Sequence, residues 1–326
     1  MTISPPRLLE VDRLSVHYGN APAVEDVSFA VGPGEVVGLV GESGCGKTTL
    51  GLSILGLLPS NARIASGAVR LSGEDLAHAT RDRLRDIRGA EIAMIFQNPM
   101  RSLHPARTIG WQLREAYRVH HPGATRAPAD QRAVEVLDSV GIPDARARLR
   151  DYPHQFSGGM QQRVMIAMAL INDPKVLVAD EPTTALDVTI QAQILELLRE
   201  LASSRGMGVL LVTHSLGIVS SLCDRVVVLY AGQVVEYGPV ADVFVRPEHP
   251  YTRGLLRSTP SESTTTLYSI PGSLPGLEMR NHDECRFRSR CDLAFAACAQ
   301  MPPLIPTDPS RASRCWLADP IVRAAS

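Results

Sequence analysis

Short apolar runs recur along the first three-quarters of the chain, and polar segments separate them. The runs are Val36–Val40, Ile92–Phe96, Val176–Ala179, Val209–Thr213 and Val226–Tyr230. Runs of this length, rich in valine and isoleucine, are typical of strands buried on both faces of a parallel sheet, although a buried helix can give the same pattern. Near the N-terminus, Leu14 and Val16 alternate with polar neighbours, and a further run, Val27–Val31, is followed by a Gly-Pro-Gly turn. We therefore expect strands over residues 10–40.

Helical periodicity appears between the apolar runs. Apolar residues recur at helical spacing in Ala133–Val140 and in Ile190–Leu201. A further helix is predicted from about Lys47 to Leu57, and Pro59 stops it. Strands that alternate with helices favour an α/β sheet, with a mainly helical insertion near residues 100–165.

The pattern changes after about Tyr237, where the apolar runs end. Residues 258–276 are rich in Ser, Thr, Pro and Gly, which is typical of a surface linker or an irregular segment. A chain of 326 residues can hold one large domain with an appendage, or two modest domains.

Charge and hydropathy narrow the classes of function. The net charge is −1 and the pI is near 6.8, so there is no basic excess to favour nucleic acid as a partner. The N-terminal segment has no apolar core of signal-peptide length, and the apolar runs fall short of the ~20 residues that span a bilayer. We expect a soluble cytoplasmic protein, unless a partner holds it at a membrane.

A glycine-rich loop follows the run Val36–Val40. Its sequence, Gly41-Glu42-Ser43-Gly44-Cys45-Gly46-Lys47-Thr48, matches the phosphate-loop motif G-x-x-x-x-G-K-[ST] in full. Glycines let backbone N–H groups converge on phosphate oxygens, and the helix that follows adds the positive end of its dipole. Lys47 is expected to reach the β- and γ-phosphates, and the Thr48 hydroxyl to bind Mg²⁺. The loop therefore predicts ATP binding, and only the backbone of Cys45 is needed for it.

Two carboxylates end the apolar run that starts after Lys175. Asp180 is placed to hold Mg²⁺ through water, and Glu181 can orient or deprotonate the attacking water. Acids at a strand end are often merely solvated, and the phosphate loop earlier in the chain is what favours the catalytic interpretation. Further on, Ser157 precedes two glycines and a predicted helix, where the local sequence indicates a helix N-cap with N–H groups that could face an anion.

Taken in order, these segments resemble the ATP-binding-cassette (ABC) ATPases over residues 10 to about 240. Tyr18 is similar to the aromatic residue that stacks on adenine in that family. Gln97 resembles the glutamine that senses Mg²⁺ and the γ-phosphate and moves with the transmembrane partner. His214 resembles the switch histidine that contacts the γ-phosphate.

Two more segments resemble parts of the family that act across a dimer. Ser157-Gly158-Gly159-Met160-Gln161 is similar to the family signature, and Thr184-Ala185-Leu186-Asp187 to the loop at the dimer seam. The resemblance implies that two such domains sandwich two ATP molecules, each bound by the phosphate loop of one subunit and the signature of the other. Ser157 and Gly159 would then act in trans on the γ-phosphate. A monomer is expected to be a poor ATPase.

The resemblance also implies a fold and a full set of site residues. The fold is a P-loop NTPase of the ABC type, with a RecA-like α/β core, an antiparallel β subdomain and a helical subdomain near residues 98–164. The ATP-binding domain would cover residues 1–240, and a small irregular C-terminal extension residues 241–326. The residues assigned to catalysis are Glu181, His214 and Gln97. Those assigned to Mg²⁺ are Thr48, Gln97 and Asp180. Those assigned to ATP are Tyr18, Gly41, Ser43, Gly44, Cys45, Gly46, Lys47, Thr48 and Thr49. Those offered to a partner subunit are Ser157, Gly158, Gly159, Gln161 and Asp187.

Three further segments resemble one subfamily, the dipeptide and oligopeptide importers. Phe96–Pro105 resembles their extended glutamine loop, His249–Leu256 the start of their C-terminal extension, and Pro271–Pro275 a stretch that follows there. The implied function is the ATPase subunit that energises peptide uptake. Closely similar ATPases serve nickel and glutathione importers, so these remain alternatives. A soluble ABC ATPase acting on nucleic acid or ribosomes is an alternative of another class, but it would call for a coiled-coil insertion or tandem cassettes and for basic patches, which this sequence lacks.

Four cysteines crowd into the extension as C-x₅-C-x₆-C-x₁₆-C, namely Cys285, Cys291, Cys298 and Cys315. Four thiolates at loop spacing can hold a [4Fe–4S] cluster or tetrahedral zinc, and the C-x₂-C knuckle of zinc ribbons is missing here. Members of the importer subfamily carry a [4Fe–4S] cluster on a similar set, so the resemblance implies a cluster, while zinc and free thiols stay open. The arginines between the cysteines could offset the charge of a cluster or be solvated surface groups.

The resemblance finally implies partners and a location. The partners would be a second ABC ATPase subunit, either identical or related, two transmembrane permease subunits that dock around Gln97–Arg107, and an extracytoplasmic substrate-binding protein. No nucleic acid is implied. The chain would then be a peripheral protein at the cytoplasmic face of the cell's inner membrane.

Overall fold

The computed structural model describes residues 7–97, 102–183, 186–259 and 268–325. Asn98–Arg101 of the predicted glutamine loop and Thr184–Ala185 of the predicted dimer loop lie outside these residues. The chain forms two compact units. We call residues 32–35 and 78–210 the helical unit, and residues 9–31, 36–77 and 211–325 the phosphate-loop unit.

The phosphate-loop unit begins with an antiparallel sheet. Its first elements are β1 (Leu9–Tyr18), β2 (Ala21–Val31), β3 (Val36–Val40), α1 (Lys47–Ile54), β4 (Ala62–Leu71) and β5 (Glu74–Asp75). Four of the strands form an antiparallel sheet in the order β2-β1-β4-β5. β3 instead pairs in parallel with a later strand, so β2 and β3 flank the predicted turn without pairing with each other. Every residue of β3 is buried, as expected for a strand that is covered on both faces.

The helical unit contains the predicted insertion. Its elements are α2 (Arg81–Ile87), β6 (Ile92–Ile95), α3 (Ile109–Arg118), α4 (Arg126–Ser139), α5 (Ala145–Arg148), α6 (Gly158–Leu170), β7 (Val176–Asp180) and α7 (Val188–Arg205). β6 and β7 pair in parallel, which confirms the prediction of buried parallel strands. α4 and α7 confirm two predicted helices, although both begin earlier than the apolar periodicity indicates.

The chain then returns to the phosphate-loop unit. β8 (Gly208–Thr213) begins in the helical unit and ends in this one. The elements that follow are α8 (Leu216–Leu222), β9 (Arg225–Tyr230), β10 (Gln233–Pro239), α9 (Val240–Val245), α10 (Pro250–Arg257), β11 (Ile305–Asp308), β12 (Arg311–Ser313) and α11 (Pro320–Ala325). Among the described residues, no helix is both long enough and apolar enough to cross a membrane.

The C-terminal extension is joined to the sheet of this unit. The strand order is β11-β12-β10-β9-β3, in which β3 and β9 are parallel and the other pairs are antiparallel. The sequence predicts only an irregular extension here. β11 and β12 are too short for alternation of apolar and polar residues to show, so pattern analysis misses them.

A buried ion pair fastens the extension to β10. Glu236 is fully buried, and its carboxylate accepts a hydrogen bond from Arg311 Nη2 at 2.9 Å. The same carboxylate accepts hydrogen bonds from the backbone N–H groups of Glu248 at 2.9 Å and His249 at 3.0 Å. A buried carboxylate is stable only when its lone pairs are used, so these contacts fix the path of the chain beside β10.

Replacing Arg311 should therefore destabilise the protein strongly. We expect Arg311→Met to lower the free energy of unfolding by about 3–5 kcal/mol, because the Glu236 carboxylate stays buried without its cation. Urea titration followed by circular dichroism measures this change. The double variant Glu236→Gln/Arg311→Met should recover part of the loss, because no buried charge remains.

The matched control is Arg126→Ala. Arg126 pairs with Asp130 on the surface of α4 and is 81% exposed. We expect a loss of about 0.5 kcal/mol or less in this variant. Equal losses in Arg311→Met and Arg126→Ala would contradict the role given to the buried pair.

Candidate ATP site and cysteine cavity

The predicted phosphate loop connects β3 to α1 in the phosphate-loop unit. Gly41 has a φ of 154°, and a Cβ at this position would lie 2.1 Å from the backbone oxygen of Leu229, so only glycine fits. Ser43 and Gly44 are exposed at the tip of the loop, whereas Cys45 is fully buried. α1 begins at Lys47, and the first N–H groups of a helix lack partners within the helix. An anion at this loop would meet those groups and the positive end of the helix dipole.

The ammonium group of Lys47 lies against the loop itself. Its Nζ donates hydrogen bonds to the backbone oxygens of Gly41 at 2.7 Å and Glu42 at 3.0 Å. Cys45 Sγ lies 3.9 Å from the same Nζ, yet burial outweighs this charge and raises the pKa of the thiol. A protonated, buried thiol is a poor nucleophile, so Cys45 contributes packing and its backbone to the loop.

Two other residues that the sequence assigns to ATP lie together in this unit. Tyr18 ends β1, and its hydroxyl lies 3.4 Å from the hydroxyl of Thr49 in α1. Thr48 is exposed in the first turn of α1, and His214 is exposed directly after β8.

The helical unit brings two of the predicted catalytic residues together. Asp180 is buried at the end of β7, and Glu181 follows it. Gln97 Nε2 donates a hydrogen bond of 2.7 Å to the Glu181 carboxylate. Glu181 has a φ of 46°, a left-handed conformation that costs a non-glycine residue about 1–3 kcal/mol and that often occurs at functional sites.

The signature segment has a capping role that is visible in the structure. Ser157 Oγ accepts a hydrogen bond from the Met160 N–H at 3.3 Å and so caps α6. Gln161 is buried, and its side-chain amide donates to the backbone oxygens of Pro153 at 2.9 Å and Phe156 at 3.1 Å. The amide group of Gln161 therefore secures the turn before α6.

Close packing at the start of α6 explains one of the signature glycines. A Cβ on Gly159 would lie 2.7 Å from Cγ2 of Ile190 in α7. Asp187, which the sequence assigns to the dimer loop, caps α7 by accepting a hydrogen bond from the Ile190 N–H at 2.9 Å. Ile190, in the first turn of α7, thus makes both contacts. Its N–H binds the Asp187 carboxylate, and its side chain leaves room only for glycine at residue 159.

The four cysteines of the extension line one cavity. Cys298 and Cys315 are buried, Cys285 and Cys291 are half-buried, and all four are free thiols. Most of the other lining side chains are apolar, namely Pro250, Phe287, Leu293, Phe295, Pro302, Trp316 and Leu317. His249 and Arg288 also line the cavity.

Burial controls the charge of these thiols. Burial raises the pKa of Cys285 to about 11 and that of Cys315 to about 12, so both are neutral at pH 7 without a ligand. Across the described ranges, no three Cys, His, Asp or Glu side chains form a group that could hold a metal ion.

Two family models match the chain. One, described as ABC transporter, matches residues 24–184. The other, described as Oligopeptide/dipeptide transporter, C-terminal region, matches residues 235–298. The second match covers part of the cysteine segment.

Relatives of known sequence match nearly the whole chain. A protein of Brucella abortus (strain 2308), named as a peptide import ATP-binding protein, is 50% identical over 323 residues, which cover 97% of each chain. A protein of Brucella melitensis biotype 1 with the same kind of name is 52% identical over 308 residues, which cover 90% of each chain.

Solved structures match the larger part of the chain. The dimeric structure of a bacterial ABC transporter cassette is 28% identical with a TM-score of 0.63, and the match covers 71% of this chain and 98% of that one. The same cassette has been solved in a post-hydrolysis state bound to ADP and Pi. Part of an ABC transporter complex of Clostridium perfringens is 27% identical with a TM-score of 0.65, covering 74% of this chain and 92% of that one.

The packing of Gly159 gives a stability prediction. We expect Gly159→Ala to lower the free energy of unfolding by about 1–3 kcal/mol, because the new methyl group would overlap the branched side chain of Ile190. The control is Gly158→Ala, whose Cβ would meet nothing closer than Leu186 Cδ2 at 3.8 Å. Urea titration of both variants tests this difference. Equal stability of the two variants would show that the contact with Ile190 does not restrict residue 159.

Proposed function

The chain belongs to the ABC transporter family, and from this premise we propose that it is the ATP-hydrolysing subunit of an importer of dipeptides or oligopeptides. The observation that carries the proposal is the presence of two matches in one chain, the ABC transporter model at residues 24–184 and the oligopeptide/dipeptide C-terminal region at residues 235–298. The names of the relatives also favour peptides. Nickel and glutathione importers remain the second candidates because their ATPases are closely similar. The match at residues 235–298 favours import over an action on nucleic acid or ribosomes.

The phosphate loop binds the triphosphate in this proposal. Backbone N–H groups of Gly41–Thr49, other than those of Glu42 and Cys45, which donate within the protein, face the phosphate oxygens. Lys47 leaves its carbonyl partners for the β- and γ-phosphates. Tyr18 stacks on adenine, which fits its position beside Thr49. Thr48 and Asp180 would hold Mg²⁺ together with Gln97, and the ion would offset the negative charge of the phosphates.

Glu181 acts on the attacking water. The hydrogen bond from Gln97 orients the Glu181 carboxylate, which suits a residue that positions or deprotonates water. His214 contacts the γ-phosphate. The signature residues Ser157, Gly158, Gly159 and Gln161 and the dimer-loop residue Asp187 belong to the same catalytic cycle, in which they act across a dimer of ATPase subunits. Backbone N–H groups at the start of α6 are the donors that this cycle uses, because the Gln161 amide is engaged within its own turn.

The same proposal covers partners and location. The chain pairs with an identical or related ATPase subunit and lies peripherally at the cytoplasmic face of the inner membrane. Two permease subunits dock around Gln97–Arg107, and an extracytoplasmic protein delivers the peptide. Residues 1–240, with a helical subdomain near 98–164, form the ATP-binding domain, and residues 241–326 form the extension.

We also propose that the cysteine cavity holds a [4Fe–4S] cluster. Four thiols in an apolar cavity form the donor set that such clusters use. A single tetrahedral zinc would draw its thiolates to within about 4 Å of one another, given Zn–S bonds of about 2.3 Å. Among the described residues, no three Cys, His, Asp or Glu side chains are placed to hold a metal ion, so the proposal rests on the donor set. The bound cluster would supply positive iron centres that keep the four thiols deprotonated.

Glu181→Gln should abolish turnover while ATP still binds. We expect ATP hydrolysis by the assembled importer to fall by about 100-fold or more, because the amide of the new glutamine cannot accept a proton from water. ATP hydrolysis and uptake of a labelled dipeptide into proteoliposomes measure this effect. The control is Glu200→Gln, an exposed residue of α7. Retained hydrolysis in Glu181→Gln would refute its role, and uptake of Ni²⁺ or glutathione in place of peptide would shift the substrate to that candidate.

Protein purified without oxygen should be brown. We expect a broad absorption near 400 nm and about four irons and four sulfides per chain. Cys291→Ser should lose the colour, and Cys223→Ser, which lies outside the cavity, should keep it. A colourless protein with one zinc per chain would show that the site holds zinc and not a cluster. A protein without metal would show that the four thiols are free.

A further inference from the structure

The C-terminal extension contacts the phosphate loop through Glu42. The Glu42 N–H donates to the Tyr251 hydroxyl at 2.9 Å, and the Glu42 carbonyl accepts from Lys47 Nζ at 3.0 Å. The Glu42 carboxylate accepts two hydrogen bonds from Arg290, at 2.7 and 2.9 Å. The Glu42 carbonyl also accepts a hydrogen bond from the Cys45 N–H at 3.2 Å. Every polar group of Glu42 is thus used, and two of its four partners belong to the extension.

The Arg290 side chain is buried and has a further hydrogen-bond partner besides the Glu42 carboxylate. The side chain is only 4% exposed, and its Nε donates to the Pro271 carbonyl at 2.7 Å. The Glu42 carboxylate raises the pKa of the guanidinium, so the charge is present at every working pH. A two-pronged Arg–carboxylate pair fixes direction as well as distance, and lysine cannot reproduce it.

A second arginine of the extension binds the other side of the loop. Arg280 donates from Nη2 to the Gly44 carbonyl at 3.2 Å and from Nη1 to the Ala23 carbonyl at 2.8 Å. Leu274 lies 3.6 Å from the position that a Cβ of Gly44 would take. The extension therefore contacts the loop on both sides of Ser43.

The segment that carries Arg290 is also a wall of the cysteine cavity. Arg290 directly precedes Cys291, and its N–H donates to the Phe287 carbonyl at 3.0 Å. Phe287 lines the cavity. The same ring packs against Tyr230 and Tyr251, with centroids 5.2 and 5.4 Å apart. The short turn between Cys285 and Cys291 thus carries Arg290, and its Phe287 contacts Tyr251, so the two thiols lie next to both residues of the extension that bind Glu42.

We propose that Arg290 is a positioning residue of the ATP site and that it couples the phosphate loop to the cysteine cavity. Nucleotide affinity then depends on whether the thiols are free or joined by a bound group. A group that joins Cys285 to Cys291 would fix the turn that carries Arg290. A fixed Arg290 holds Glu42, and Glu42 holds the carbonyl on which Lys47 rests. Coupling between two sites is reciprocal, so nucleotide must alter the thiols by the same factor. The inference rests on the ATP-binding role proposed above for Gly41–Thr49.

The first test measures ADP affinity in the full-length protein with Mg²⁺ by titration calorimetry. Arg290→Gln should weaken binding about 5-fold or more, and Arg290→Lys should lie between that variant and wild type, because charge remains but the two-pronged geometry does not. The matched control is Arg288→Gln. Arg288 lies on the same turn and lines the cavity, but it pairs with Glu284 and is 43% exposed.

Glu42→Gln removes the same ion pair from the loop side and serves if Arg290→Gln does not fold. ADP binding within twofold of wild type in Glu42→Gln and Arg290→Gln would overturn the inference, and so would an equal loss in Arg288→Gln. A Lys47→Ala variant that binds ADP as tightly as wild type would instead refute the role of the loop itself.

The second test measures the reciprocal effect in metal-free, reduced protein. Saturating ADP with Mg²⁺ should slow alkylation of Cys291 by iodoacetamide about 5-fold or more, followed peptide by peptide by mass spectrometry. Arg290→Gln should lose this protection, Arg288→Gln should keep it, and Cys223 is the internal reference. Equal alkylation of Cys291 with and without ADP in wild type would overturn the coupling. Neither test needs a cluster, so the inference can stand if the cluster proposal falls.

Discussion

A phosphate loop must leave its backbone N–H groups to the ligand, so contacts from other segments have to hold it in shape. In this chain the carbonyl of Leu229 in β9 lies where any side chain at Gly41 would stand. The N–H of Gly232, just after β9, donates to the Cys45 carbonyl at 2.8 Å. The buried strand β9, the buried Cys45 and the start of α1 thus form one seat for the loop, which leaves Ser43, Gly44 and Thr48 exposed.

Ionic contacts of buried arginines recur between the extension and the rest of this unit. Glu236 with Arg311 fastens it to β10, and Arg286 Nη2 lies 2.6 Å from a carboxylate oxygen of Glu25 in β2. Such pairs stabilise little when they replace apolar packing, but they are costly to break singly. Their main effect is therefore on the position of the extension and not on the free energy of unfolding. They allow one arrangement of the extension and exclude displaced ones, which suits a segment with few regular elements of its own.

Local sequence predicts the parts of this molecule that depend on local physics. The strands β3, β6, β7 and β9, the helix after the phosphate loop and the loop itself all follow from short patterns, because burial and turn chemistry act over a few residues. Ser157 and Asp187 show a limit of this approach, since a capping residue and a functional residue look the same in sequence. The contact between Glu42 and Arg290 shows another, because 248 residues separate the two side chains. A variable position of a phosphate motif gives no sign of such a partner. The arginines between the cysteines could be surface groups, and only the fold shows that Arg286 and Arg290 are buried.

The phosphate-loop unit takes its segments from two distant parts of the chain. These are residues 9–31 and 36–77 on one side and residues 211–325 on the other. During synthesis the ribosome therefore releases Gly41–Lys47 long before it makes β9, Tyr251 or Arg290. A chain made at about 5–20 residues per second spends on the order of ten seconds or more with the loop exposed but without its supports. A product that ends after Gly232 but before Tyr251 would keep the contacts of Leu229 and Gly232 with the loop and lack those that Tyr251 and Arg290 make with Glu42.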